Sequence, residues 1–206
     1  MFITISRQYA AGGSEVARLV AEALGWTVVD DDFVTRLSER SGFTQDDVAG
    51  LEERVPTFFE RMAQSTALSF PEYLSSSPEL LEQPDAVKLA KISRELVAEL
   101  GRNDRMVFVG RASAAVLARA TDVLHVRLVA SEGYRIRHAI EHLGVPEADA
   151  AKVLDTTDRN RERYHRELYG RDWNDPVLYH LVLNTELLGT DGAAGLIVAR
   201  ARALDW

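Results

Sequence analysis

The chain has 206 residues, 46% of them apolar, which suits one domain with a sizeable core and a substantial insertion. A formal charge of -8 argues against nucleic acid as a general partner, because most of the surface would repel a duplex. The absence of cysteine excludes disulfides, thiolate metal sites and thiol nucleophiles.

The opening run MFITISRQYAAGG is too short for a secretory apolar region, and no later window reaches membrane-span length, so a cytoplasmic protein without a membrane partner is expected. Residues 2–6 read as a short buried strand, followed by the turn RQYAAGG and the helix SEVARLVAEALG. Val16, Leu19, Val20 and Leu24 form the apolar face of that helix and Gly25 its stop. A second strand runs through Trp26, Val28 and Val29 to Asp30, Asp31 and Asp32, and residues 33–42 read as helix. Residues 44–84 are punctuated by Pro56, Pro71, Pro78 and Pro84, and read as a largely helical insertion on the acceptor side of a site. Ala86–Leu100 restores a clean helical face, and Met106–Val109 is a buried strand delivering Gly110 and Arg111. A helix over Ala112–Ala120 and a fourth strand over Val123–Ala130 come next. Helices over Glu132–Leu143 and from Pro146 onward follow, then a last strand over Leu181–Asn184 and a closing helix from Ala193. Five short apolar strands separated by helices predict an α/β three-layer sandwich, a parallel sheet flanked by helices.

Four groups of residues carry candidate chemistry. The loop after the first strand can turn backbone N–H groups toward phosphate, and it partly fits G-x-x-x-x-G-K-[ST]: Gly12 takes the second glycine and Ser14 the hydroxyl. Arg7 stands at the first glycine and Gly13 at the lysine. Read on residues alone, Ser14 is equally a plain helix cap beside a tight turn. Asp30 and Asp32 end the second strand where open α/β sheets bind ligands, and suit a magnesium-water shell, an acceptor hydroxyl or mere helix capping. Arg111 leaves an apolar strand and meets either an anion or a carboxylate across the sheet end. Arg159, Arg161, Arg163, Arg166 and Arg171 crowd 13 positions, as a solvated face or as a cover closing over phosphates. His138 and His142 lie one helical turn apart without a zinc pattern, and His125, His165 and His180 read as polar packing.

The set ITISRQYAAGGSEVARLVAEALGW, VVDDDFV, MVFVGRA, VRLVASEGYRIRHAIEHLGV, TDRNRERYHRELYGRDW and YHLVLNT resembles the cytidylate kinase-like family, related to the nucleoside monophosphate kinases. The resemblance covers almost the whole chain. It implies one P-loop nucleoside triphosphate hydrolase-like domain over 1–206, using ATP and Mg2+ on a small phosphorylated substrate, with a homodimer left open. It assigns the ATP phosphates to Gly12, Gly13 and Ser14 and the acceptor to Asp30 and Arg111, and Ser14 and Asp32 are read beside them as the magnesium shell. It makes residues 155–176 a lid, with Asp155, Asp158 and Arg161 on its Asp-x-x-Asp-x-x-Arg pattern and Arg166 beyond. Arg159, Arg161 and Arg163 would neutralise the moving charge. The lysine is missing, and its charge falls to Arg7 or to a lid arginine. The implied reaction is phosphoryl transfer to a nucleoside monophosphate, CMP by family name; a kinase for another metabolite and a catalytically weak nucleotide sensor are the alternatives.

Overall fold

A computed structural model describes residues 1–29, 31–42, 44, 86–100 and 105–206, with the backbone alone at 31, 32, 34 and 86–90. The described residues form five strands: β1 (Phe2–Arg7), β2 (Thr27–Val29), β3 (Met106–Val109), β4 (Val123–Val129) and β5 (Leu181–Asn184). Their helices are α1 (Gly13–Leu24), α2 (Asp31–Ser41), α3 (Ala86–Leu100), α4 (Ser113–Val116), α5 (Glu132–Leu143), α6 (Glu147–Tyr169) and α7 (Thr185–Arg202). The predicted insertion at 44–84 lies outside the described residues apart from Thr44.

Strands pair in the order β2-β3-β1-β4-β5, all parallel. Register sets Phe2 beside both Met106 and Val123, and Ser6 beside Arg127. Side chains alternate along β1, so Ile3 and Ile5 join one core while Phe2 joins the other. The Ile3 face carries Val109, Val126 and Leu128 and is covered by α1 and α7. The Phe2 face is covered by α2 and α3 through Phe33, Leu37, Leu96 and Val97, all without exposed surface. Cutting one of these to alanine removes apolar burial and leaves a cavity, a loss of about 2–5 kcal/mol. With helices on both faces, β4 is buried almost end to end despite its polar letters, which is the three-layer sandwich the strand pattern predicts. The chain adds β3 and β2 on one side of β1 and β4 and β5 on the other, so the carboxyl end of β1 is the switch point where such sheets hold ligands.

Some boundaries depart from the periodicity. The helix after Arg111 covers only Ser113–Val116: Arg111 and Ala112 take left-handed backbone and delay its start, and Leu117, at φ -92° and ψ 13°, ends it early. The last helix begins at Thr185, capped by the Asn184 side chain, which accepts from the N–H groups of Glu186 and Leu187. A non-helical Gly189 then kinks it, so the apolar spacing only becomes regular near Ala193. The helix α2 takes in Asp31 and Asp32 as its first residues. No described helix is long and apolar enough to cross a membrane.

Candidate active site at the carboxyl end of the sheet

Between β1 and α1 the chain makes a compact turn: Ala10 and Gly12 are left-handed at φ 59° and 73°, and the Ala11 N–H donates to the Gln8 carbonyl at 3.2 Å. The Gln8 N–H reaches the Leu128 carbonyl at 3.1 Å, and the Thr185 hydroxyl donates to the Ala11 carbonyl at 3.1 Å, so the turn is tied to β4 and α7. A Cβ on Gly12 would stand 2.9 Å from Thr190 Cγ2, which together with its positive φ favours glycine there. The N-cap of α1 is Gly12 and makes no side-chain cap, so Ser14 is the exposed second residue of the helix rather than its cap. First-turn N–H groups without a side-chain cap, with a hydroxyl beside them, are what phosphate oxygens and a hard divalent cation require. An open groove runs from this turn past Tyr134, His138 and His142 of α5 and Thr190 and Asp191 of α7.

Beyond β3 three consecutive residues are left-handed: Gly110 at φ 70°, Arg111 at 56° and Ala112 at 47°. Such backbone costs a non-glycine residue on the order of 1–3 kcal/mol and concentrates at working sites. The surroundings hold it: the Gly110 N–H donates to the Ile5 carbonyl at 3.0 Å, and the Ser113 hydroxyl donates to the Gly110 carbonyl at 2.8 Å. Arg111 thereby lines a small pocket together with Ser6, Arg7, Ser113, Arg161 and Trp173. Its guanidinium carbon lies 5.6 Å from the centre of the Phe33 ring.

Periodicity decides which arginine of α6 faces inward. Ala150, Leu154, Arg161 and Tyr164 are buried and Asp158 is half-buried, a single stripe at helical spacing. Arg161, 9% exposed, donates from Nη1 to the Arg7 carbonyl at 3.0 Å and lines both the loop groove and the Arg111 cavity. One Asp158 oxygen accepts from the Tyr9 N–H at 2.8 Å and the other from Arg135 Nη1 at 2.6 Å. That same Arg135 nitrogen donates to the Tyr9 carbonyl at 3.2 Å, so Asp158 and Arg135 fasten two helices to the loop after β1. The other predicted residues lie elsewhere on the helix. Arg159 and Asp155 pair at 2.8 Å on the exposed side, Arg166 pairs with Glu162, and Arg163 donates to Asn160 at 2.9 Å. Asp30 and the Asp32 side chain lie outside the described residues.

Sequence reading missed the residues that seat the turn after α6. Arg127 is 3% exposed: it donates to the Trp173 carbonyl and to Asn174 Oδ1, each at 2.7 Å, with the Trp173 ring 4.0 Å from its guanidinium carbon. The Trp173 indole N–H donates to Ser6 Oγ at 2.8 Å, bringing the turn back onto β1. An arginine in a continuous buried strand is the signal that was available. Beneath it, His125 Nδ1 lies 2.8 Å from Thr4 Oγ1, and burial first, then the neighbouring His180 and Arg171, lowers its pKa to about 4. Among the described residues no group of three or more histidines and carboxylates is placed to hold a metal ion.

A parallel, doubly wound sheet with a tight glycine turn between its first strand and helix is the fold of the P-loop kinases. An uncharacterized protein from Eubacterium ventriosum matches with a TM-score of 0.69 at 16% identity, over 98% of this chain and 99% of that one. Shikimate kinase from Bacteroides thetaiotaomicron matches at 0.55 and 12% identity, over 99% and 97%. In sequence, a cytidylate kinase from Thermoplasma volcanium is 23% identical over 204 residues, 97% of this chain and 90% of the relative. The model of the cytidylate kinase-like family matches residues 2–187, and the chain belongs to that family. This relationship supports phosphoryl transfer as its general chemistry.

Proposed function

We propose that the chain transfers the terminal phosphoryl group of ATP to a nucleoside monophosphate, with CMP the first acceptor to test. The observation that carries this reading is that Arg7 and Arg161 line two cavities at once, the groove over the glycine turn and the pocket holding Arg111. A donor phosphate chain in the first and an acceptor phosphate in the second would meet between these two arginines. Residues 155–176 act as the lid, 44–84 as the acceptor-side insertion, and 1–206 as one kinase domain.

In the reaction an acceptor phosphate oxygen attacks the terminal phosphorus, the bond from that phosphorus to the ADP oxygen breaks, and its electron pair stays on ADP. An acceptor phosphate that is already ionised has no proton to surrender, so the site needs placement and positive charge rather than a general base. Gly12, Gly13 and the first-turn N–H groups hold the donor phosphates, and Arg111, with Asp30, holds the acceptor. Arg161, buried and fixed on the Arg7 carbonyl, faces the transferring group with little reorganisation. Arg159 and Arg163 reach the phosphates only if lid closure turns that part of α6. The exposed Ser14 hydroxyl, with Asp32, suits magnesium, which supplies charge neutralisation on phosphate oxygens when bound. Burying the reacting oxygens under the lid limits transfer to water.

ATP consumption with magnesium, measured against a panel of nucleoside monophosphates, shikimate and gluconate, tests the proposal. CMP-dependent ADP formation supports it, turnover with a non-nucleotide alone replaces the acceptor, and ATP binding without turnover on any acceptor favours a nucleotide sensor.

A further inference from the structure

Set on G-x-x-x-x-G-K-[ST], residues 7–14 depart twice: arginine stands at the first glycine and glycine at the lysine. Taken as letters the two departures are independent losses. In space they are one feature. A Cβ placed on Gly13 would lie 2.6 Å from Arg7 Cγ and 3.1 Å from both Arg7 Cβ and Cδ. No side chain fits at position 13 while the Arg7 stem lies there. Nor does the backbone ask for glycine at 13: Gly13 is absent from the positive-φ glycines, whereas Gly12 has φ 73°. The stem of Arg7 is what requires Gly13.

We infer that the two positions have exchanged roles, so that Arg7, from the end of β1, supplies the donor-phosphate cation that a lysine at position 13 would supply from the first turn of α1. The rate arm of this assignment rests on the phosphotransfer reading; its binding arm does not. Three observations carry it. The Arg7 stem fills the volume from which a lysine at 13 would rise. Arg7 lines both the groove over the glycine turn and the Arg111 cavity. Its backbone is held, because its carbonyl accepts from Arg161 Nη1 and its strand partner is Leu128. A guanidinium offers a planar fork of donors that matches two phosphate oxygens together, which an ammonium cannot do.

The test uses the full chain and Mg·ATP as probe. Arg7→Ala, Arg7→Lys, Arg7→Gly, Gly13→Lys and the exchange Arg7→Gly with Gly13→Lys are compared by thermal melting, by Mg·ATP titration and by turnover. Beyond any change in melting, Arg7→Ala is expected to bind Mg·ATP at least about tenfold more weakly and to lose on the order of 10²-fold in turnover, with Arg7→Lys in between. Gly13→Lys alone should lower the melting temperature through the clash, and the exchange should bind Mg·ATP more tightly than either of its single components. Arg7→Ala binding Mg·ATP like the parent would overturn the assignment, as would Gly13→Lys tolerated beside an intact Arg7. Should the double variant fail to fold, the comparison of Arg7→Ala with Arg7→Lys still decides. A parent that binds Mg·ATP but turns over no acceptor removes the kinase reading and leaves the binding arm to judge Arg7; a parent that binds no Mg·ATP removes both.

Discussion

Asp158 is a residue whose loss should cost more in folding than its place on a charged helix suggests. Its carboxylate is 18% exposed and its partner Arg135 10% exposed, and between them they satisfy both the N–H and the carbonyl of Tyr9. Asp158→Ala leaves a guanidinium and a backbone N–H in a mostly buried place without their acceptor. Breaking one side of a buried pair costs about 3–5 kcal/mol. At this chain length that corresponds to a fall in Tm of roughly 6–20 °C. Asp158→Asn keeps an oxygen for the Tyr9 N–H and should lose less. Removing both partners, as Arg135→Met with Asp158→Leu, should cost less than the two single changes added together, since neither leaves an orphaned charge; a coupling of about 0.5–3 kcal/mol is expected. Urea denaturation of the four proteins measures this cycle. An Asp158→Ala variant within about 1 kcal/mol of the parent, or strict additivity, would refute the reasoning and return Asp158 to the solvated face.

Arg111→Ala should weaken acceptor use while Mg·ATP affinity is kept, because the removed fork faces the Arg111 cavity rather than the glycine turn; equal losses in direct titration of the two ligands would count against that placement. Arg161→Ala should chiefly lower turnover, by on the order of 10²-fold, whereas Arg159→Ala on the exposed side should change it far less unless lid closure turns that part of α6; near-parental turnover in Arg161→Ala would put that residue outside the reacting site. With its pKa lowered to about 4 from 6.5, folded His125 binds fewer protons than the unfolded chain between those values. Its contribution is therefore complete above about pH 6.5 and falls by roughly 3 kcal/mol as pH drops toward 4. Urea midpoints of the parent and His125→Gln at several pH values check this, and an unchanged slope in the variant would reject it.

Much of the fold is legible in the order of letters. Short apolar runs alternating with helical periodicity are the local requirement of a sheet buried on both faces, so the five strands, their parallel sense and the glycine turn after the first strand follow from them. The inward arginine was within reach as well: Arg161 keeps phase with Ala150, Leu154 and Tyr164, while Arg159, Arg163 and Arg166 do not. Three things needed the tertiary structure. Left-handed Arg111 and Ala112 delay the start of the helix after β3, because the turn is held by a carbonyl of the neighbouring strand and by a serine that follows. Arg127 is buried by the arrival of Trp173 and Asn174, which lie 46 and 47 positions along the chain. The link between Arg7 and Gly13 appears only when the end of a strand folds back over the first turn of the next helix, since steric exclusion acts through space and leaves no trace in spacing.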